Sequence, residues 1–306
     1  MKRQQIIRSF IRGADRALSI AFTAVLLLLL FFALYVNFNN RRILKEAGGE
    51  EYQSYKPTSD DTLSFDELVA INPDVTAWLT IDDTQIDYPL VQSYDNELYI
   101  NTSVFREFSL SGALFLDYRN RSDFTDPLSI VYGHNMTGGV MFGGIDRYAD
   151  PDYFSSHRKG TLYSHGAYYK LEIFAYFRAD GHDLGVYAPE LDADGCRAWL
   201  DRVGSIAVNR TEEIPDHGPI LLMSTCSTDT TNGRDLLAAS ILPGGSPPPA
   251  KGNGHISHPG SLLRDEDGGS SLWPYLIVFG AILVPLTVLF VLLKRRKKES
   301  EHDEER

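Results

Sequence analysis

Cysteine is scarce in this 306-residue chain: there are two, Cys196 and Cys226. No C-x-x-C pair occurs, so a disulfide-dense scaffold and a zinc site built on paired thiols are both excluded. Basic residues are outnumbered, 29 against 41 acidic, and the net charge of −12 argues against any nucleic-acid partner. No acidic cluster has the spacing of a calcium loop, and no internal repeat is present. No metal or cofactor is therefore expected. Apolar residues make up 43% and charged residues 23%, enough to build a packed core and too apolar for wholesale disorder.

The charge is unevenly spread. Five basic residues and one acid precede residue 37, and six basic and five acidic residues follow residue 293. The remaining 18 basic and 35 acidic residues leave the middle of the chain at −17. Two uncharged apolar runs separate these zones, 18–36 (LSIAFTAVLLLLLFFALYV) and 272–293. Each is long enough, at ~1.5 Å per residue, to cross the ~30 Å hydrocarbon core as a helix. The first lacks a small-x-small cleavage site after it, which favours a retained anchor over a signal peptide. Basic clusters flank the outer ends of both runs, so both termini (1–17 and 294–306) are expected in the cytoplasm, with everything between the spans outside. A double-spanning membrane protein is therefore expected.

Between the spans, 37–61 reads as a juxtamembrane stalk, partly helical. The Pro, Gly and Ser content of 243–271 marks a flexible linker. The folded unit is then 62–242. Ser64-Phe-Asp-Glu67 has the pattern of a capping box opening a short helix that Asn72-Pro73 closes. Short apolar or alternating segments follow at regular spacing: 77–81, 86–91, 113–118, 129–132, 160–163, 169–177, 219–224 and 236–242. They predict a mostly antiparallel barrel or sandwich. Apolar spacing predicts helices over 140–148 and 192–206, the second with Ala193, Cys196, Trp199, Leu200 and Val203 on one face.

Three residues carry candidate chemistry. Cys226 ends the apolar run from Pro219, so a buried strand presents its thiol at a strand end. Arg234 opens the next apolar strand, facing Cys226 if the two strands are neighbours, where a guanidinium stabilises an oxyanion or holds a peptide carbonyl. His134 follows a glycine at another strand exit, and an imidazole serves a thiol as base, as cationic neighbour and as general acid. Together they suit acyl transfer through a thioester. Each has a plainer reading: core filler for the cysteine, surface residue for the histidine, ion-pair partner for the arginine. Outside the cell, a Cys196–Cys226 disulfide is the competing expectation.

The chain resembles the class B sortases of Gram-positive bacteria. The matching residues are Ile71-Asn-Pro-Asp-Val75, Ala77-Trp-Leu79, Ile86-Asp-Tyr-Pro-Leu-Val-Gln92, Asp95-Asn96 and Gly112-Ala-Leu-Phe-Leu-Asp-Tyr-Arg-Asn120. They continue with Tyr132-Gly-His-Asn-Met136, Met141-Phe142, Tyr153-Phe154 and Ser224-Thr-Cys226 with Arg234. The resemblance implies an eight-stranded β-barrel with a few helices and a cysteine transpeptidase. Cys226 would attack a C-terminal sorting motif of a secreted protein, His134 would move protons, and Arg234 would hold the oxyanion. Thr225, Asp229 and Asn135 are supporting candidates by their positions. The acceptor amine would come from a lipid-linked peptidoglycan precursor or a pilin subunit.

Three departures from the family pattern stand out. Leu222-Met223 replaces the usual Thr-Leu, Cys196 is an extra cysteine, and the run at 272–293 is more like pilus-assembling class C enzymes, although their lid is absent. Two other expectations compete: an inactive binding module on the same scaffold, and a surface protein that is itself wall-sorted. The second is weakened by Leu242-Pro-Gly-Gly-Ser246, which lacks a Thr-Gly step.

Overall fold

The computed structural model describes residues 2–226 and 232–247. The run at 272–293, most of the linker at 243–271, the tail at 294–306 and Asp229 lie outside the described residues.

The chain opens with one long helix, α1 (Lys2–Ala47), which contains the first uncharged run. Most of its apolar side chains from Leu18 to Phe38 are exposed. Among the described residues it is the one helix long and apolar enough to cross a membrane. Gly48-Gly49 ends it, with Gly49 at φ +70°, the left-handed conformation that glycine adopts without strain.

The segment read as a stalk does not stay clear of the folded unit. Ala47 and Tyr52 are buried. Lys56 forms an ion pair with Asp87 at 2.7 Å, and Gln53 Nε2 donates to the Asp87 carbonyl. The Tyr52 and Tyr55 rings both rest on Phe105. The chain thus packs onto the domain from the end of α1.

A short helix, α2 (Leu63–Ile71), follows. Ser64 does not cap it. Asp61 Oδ1 accepts from the Leu63 and Ser64 amides, and Ser64 lies buried in the first turn. Then come β1 (Val75–Ile81), β2 (Asp87–Val91), β3 (Leu114–Leu116), β4 (Leu128–Tyr132), α3 (Pro151–Ser156), β5 (Lys159–Ser164) and β6 (Ala167–Asp180). The chain continues through α4 (Ala193–Ile206), β7 (Ala207–Arg210), β8 (Ile220–Cys226) and β9 (Gly233–Leu242). Eight strands close in the order β5-β1-β2-β3-β4-β8-β9-β6, with β6 pairing back to β5, and β7 adds to the free side of β6. Closure leaves the eight without an unpaired edge.

The alternation of side chains sorts the core. Leu79, Leu90, Leu116, Val131, Leu221, Met223 and Leu237 fill the barrel. Ile130, Ile220, Leu222, Leu236 and Ala238 face outward beneath Cys196, Trp199, Leu200 and Val203 of α4. Asp192 caps α4 through its bond from the Gly195 amide. Phe65 and Leu68 of α2 cluster with Trp78, Phe115 and Tyr163 of the sheet.

The helix expected over 140–148 does not form. Val140 is extended, Met141 sits at φ +54°, and only Ile145–Ala149 makes a 3₁₀ turn. Met141, Phe142, Ile145 and Tyr148 are apolar because they plug the barrel end, and Gly143-Gly144 breaks any helical run.

Candidate active site

Three neighbouring strands bring the candidate residues to one end of the sheet. β4 and β8 run parallel, with Tyr132 opposite Ser224. His134 and Cys226 each lie two residues further on, so the shared register carries both off the same end. β9 runs antiparallel to β8 with Arg234 directly opposite Cys226. Adjacent strands lie ~4.8 Å apart, so the His134 and Arg234 main chains lie on either side of Cys226.

Alternation also sets the face. On β8, Leu221 and Met223 point into the barrel and Ile220 and Leu222 point outward. Cys226 therefore points outward, where it is exposed, and Arg234 shares that face as its cross-strand partner. Both cysteines are free: Cys196 is buried under α4, and burial pushes its thiol up, only partly offset by the Gly218 amide. The competing disulfide does not form.

Several bonds hold the His134 segment against β8. The Gly133 amide donates to the Ser224 carbonyl at 3.1 Å, and Asn135 Nδ2 donates to the Cys226 carbonyl at 2.7 Å. The Phe142 amide donates to the His134 carbonyl, and Asn135 pairs with Met141 in a single antiparallel bridge. Gly133 is required by close packing, since a Cβ there would sit 2.3 Å from Leu114 Cδ2. His134 Nε2 lies 2.8 Å from the Ile100 carbonyl. A carbonyl only accepts, so Nε2 carries the proton and Nδ1 is the ring nitrogen left to exchange one.

Arg234 is partly buried, with Nη1 donating to the Gly233 carbonyl and the guanidinium lying against Gly181, where a Cβ would sit 3.0 Å from Cζ. Thr225 is different. It faces the barrel, is 2% exposed, and its hydroxyl has no hydrogen-bond partner among the described residues. Only its main chain is available to anything bound beside Cys226.

The outward face next to Cys226 carries a polar and aromatic group that the sequence reading did not single out. The Tyr187 and Ser224 hydroxyls are 2.8 Å apart, and Tyr187 stacks on Tyr132 with centroids at 6.2 Å. The Tyr132 hydroxyl donates to Asp117 Oδ2. Asp117 is fully buried and also accepts from Arg119 Nε and Nη2 and from Asn96. Burial alone would raise its carboxyl, but the bonds from Arg119, Tyr132 and Asn96 outweigh it and hold the group below the usual carboxylate range. Tyr187 enters through the long β6–α4 connection, for which no short-range pattern predicts a neighbour.

No family model matches the chain. Individual proteins do. Sortase B of Listeria monocytogenes is 31% identical over 215 residues, covering 68% of this chain and 87% of that protein. The crystal structure of sortase B from the Type II pilus of Streptococcus pneumoniae is 38% identical with a TM-score of 0.50, covering 58% of this chain and 98% of that one. A Streptococcus pyogenes class B sortase involved in pilus biogenesis is 36% identical with a TM-score of 0.52, covering 58% and 97%. The closed eight-stranded barrel with an exposed thiol at the end of one strand agrees with these likenesses, and the chain belongs to the class B sortases, cysteine transpeptidases.

Proposed function

We propose that this sortase is anchored in the membrane and joins secreted proteins bearing a C-terminal sorting signal to an amine, with Cys226 as nucleophile. The observation that supports the reading is the register of β4, β8 and β9, which brings the chain positions of His134, Cys226 and Arg234 to one end of the sheet.

Nδ1 of His134 takes the proton of the Cys226 thiol, and the thiolate so formed attacks the scissile carbonyl, forming a C–S bond and a tetrahedral oxyanion. Arg234 holds that charge with donors fixed at any working pH. Collapse breaks the C–N bond, and His134 gives its Nδ1 proton to the leaving amine. The resulting thioester is attacked by the acceptor amine, whose proton passes to His134 as the thiolate departs. Asn135 fixes the Cys226 main chain during both steps through its bond to the carbonyl. Asp229, between Cys226 and Arg234 in the sequence, is the remaining candidate for orienting Arg234.

The acceptor we favour is a pilin lysine. Two observations support it: the two pilus sortases at 38% and 36% identity, and the second apolar run at 272–293. That run, with α1, would hold the enzyme at both ends, termini in the cytoplasm and barrel outside, raising its effective concentration beside tethered substrates. Incubating the full chain in detergent with a pilin subunit carrying a sorting signal should give a covalent ladder. Single adducts with a peptidoglycan bridge amine and no ladder would favour wall anchoring, and no product with either amine would overturn transpeptidation.

A further inference from the structure

Tyr88 lies on β2, buried at 2% exposure, and takes no part in the chemistry above. Its hydroxyl donates to the carbonyl of Ala47, the last residue of α1, at 2.9 Å. The same hydroxyl accepts from the Met141 amide at 3.0 Å. Met141 pairs with Asn135, and its neighbour Phe142 donates to the His134 carbonyl. One oxygen therefore ties the end of the long apolar helix to the segment that carries His134 and Asn135. The contact is close on the helix side too: a Cβ on Gly49 would sit 2.7 Å from Tyr88 Cε1. Met141 is held at φ +54°, a conformation that a non-glycine side chain keeps only when its surroundings impose it.

We infer that Tyr88 is a positioning residue for the transpeptidation, through which the docked end of α1 sets the His134–Asn135 segment against β8. The inference rests on His134 acting in the reaction. Docking α1 on Tyr88 fixes the hydroxyl, the hydroxyl fixes Met141, and the Asn135–Met141 bridge fixes the main chain that carries His134 and Asn135. Tyr88 and Met141 themselves are buried in the barrel, away from the outward face where a sorting signal would lie, so the effect falls on turnover rather than on substrate binding.

The test uses the full chain in detergent, with a sorting-signal peptide and an amine acceptor. Tyr88→Phe keeps the ring and removes both bonds, and should lower kcat about 5- to 10-fold, the rate equivalent of one buried hydrogen bond, with KM unchanged. Gly49→Ala, which pushes the ring away, should lower kcat in the Tyr88 background and have no further effect in the Tyr88→Phe background. Rates are normalised to the folded fraction, taken as the fraction in which buried Cys196 resists alkylation, so that a simple loss of folded protein does not register. Unchanged kcat in Tyr88→Phe, a rise in KM alone, or independent losses that multiply in the double variant would overturn the inference. His134→Ala is the control: if it retains full activity, the reading of the site fails; if it is inactive while Tyr88→Phe is normal, only the positioning role fails.

Discussion

Replacing Asp117 by asparagine keeps the shape of the side chain and removes its charge. The wild-type carboxylate is fully buried and accepts bonds from Arg119 Nε at 2.9 Å, Arg119 Nη2 at 2.8 Å, Tyr132 at 2.9 Å and Asn96 at 3.0 Å, and its Oδ1 also takes the Arg119 amide. An amide turns one end from acceptor to donor, so the guanidinium loses a partner in a place water reaches poorly. Breaking a buried pair costs about 3–5 kcal/mol. Arg119 is 32% exposed, which lowers the expected loss to about 3 kcal/mol. For a domain of this size that is a fall in melting temperature of about 6–12 °C.

The dependence on pH gives a second, independent readout. The carboxyl is held below its ordinary value, so the folded state takes up its proton less readily than the unfolded state. The stability it supplies is complete well above the unfolded value of ~3.9 and is lost as pH falls through the lower folded value. The gap between wild type and Asp117→Asn should therefore be widest near neutrality and narrow towards pH 3, measured by thermal unfolding in detergent. A gap at neutral pH under about 2 °C, below the change one kcal/mol produces, or one that stays constant with acidification, would refute the reasoning.

Thr225→Val replaces a buried hydroxyl that has no partner with a methyl group of the same shape, so the melting temperature should hold or rise, by up to about 1 kcal/mol of stability. A fall in melting temperature would mean that the hydroxyl is bonded. Brief treatment with iodoacetamide should add one group to the native protein, on exposed Cys226, and a second only in denaturant, because Cys196 is buried and its thiol is pushed up. Two additions at equal rates in the native protein would contradict that burial.

Much of the barrel was legible because its strands are either continuously apolar or alternate. The segments read at 77–81, 129–132 and 236–242 fall inside β1, β4 and β9. β7 (Ala-Val-Asn-Arg) was not legible, since an exposed four-residue edge needs no apolar pattern. The helix over 140–148 was misread for the opposite reason: Met141, Phe142 and Tyr148 are buried by the tertiary fold, and burial at a barrel end imitates helical spacing. At the site, strand-end positions and the short β8–β9 connection were enough to bring Cys226 and Arg234 opposite each other. That His134 joins them depends on β4 pairing parallel with β8, a contact between residues about 90 positions apart that no local pattern specifies. The docking of Ala47 on Tyr88 and the Asp117 cluster were illegible for the same reason.

The most direct test of the central claim is to quench the full chain in acid during turnover of a sorting-signal peptide, then map the acyl group by mass spectrometry. The account predicts a hydroxylamine-labile thioester on Cys226, absent from Cys226→Ala. An acyl group on any other residue, or an adduct that persists in Cys226→Ala, would contradict it.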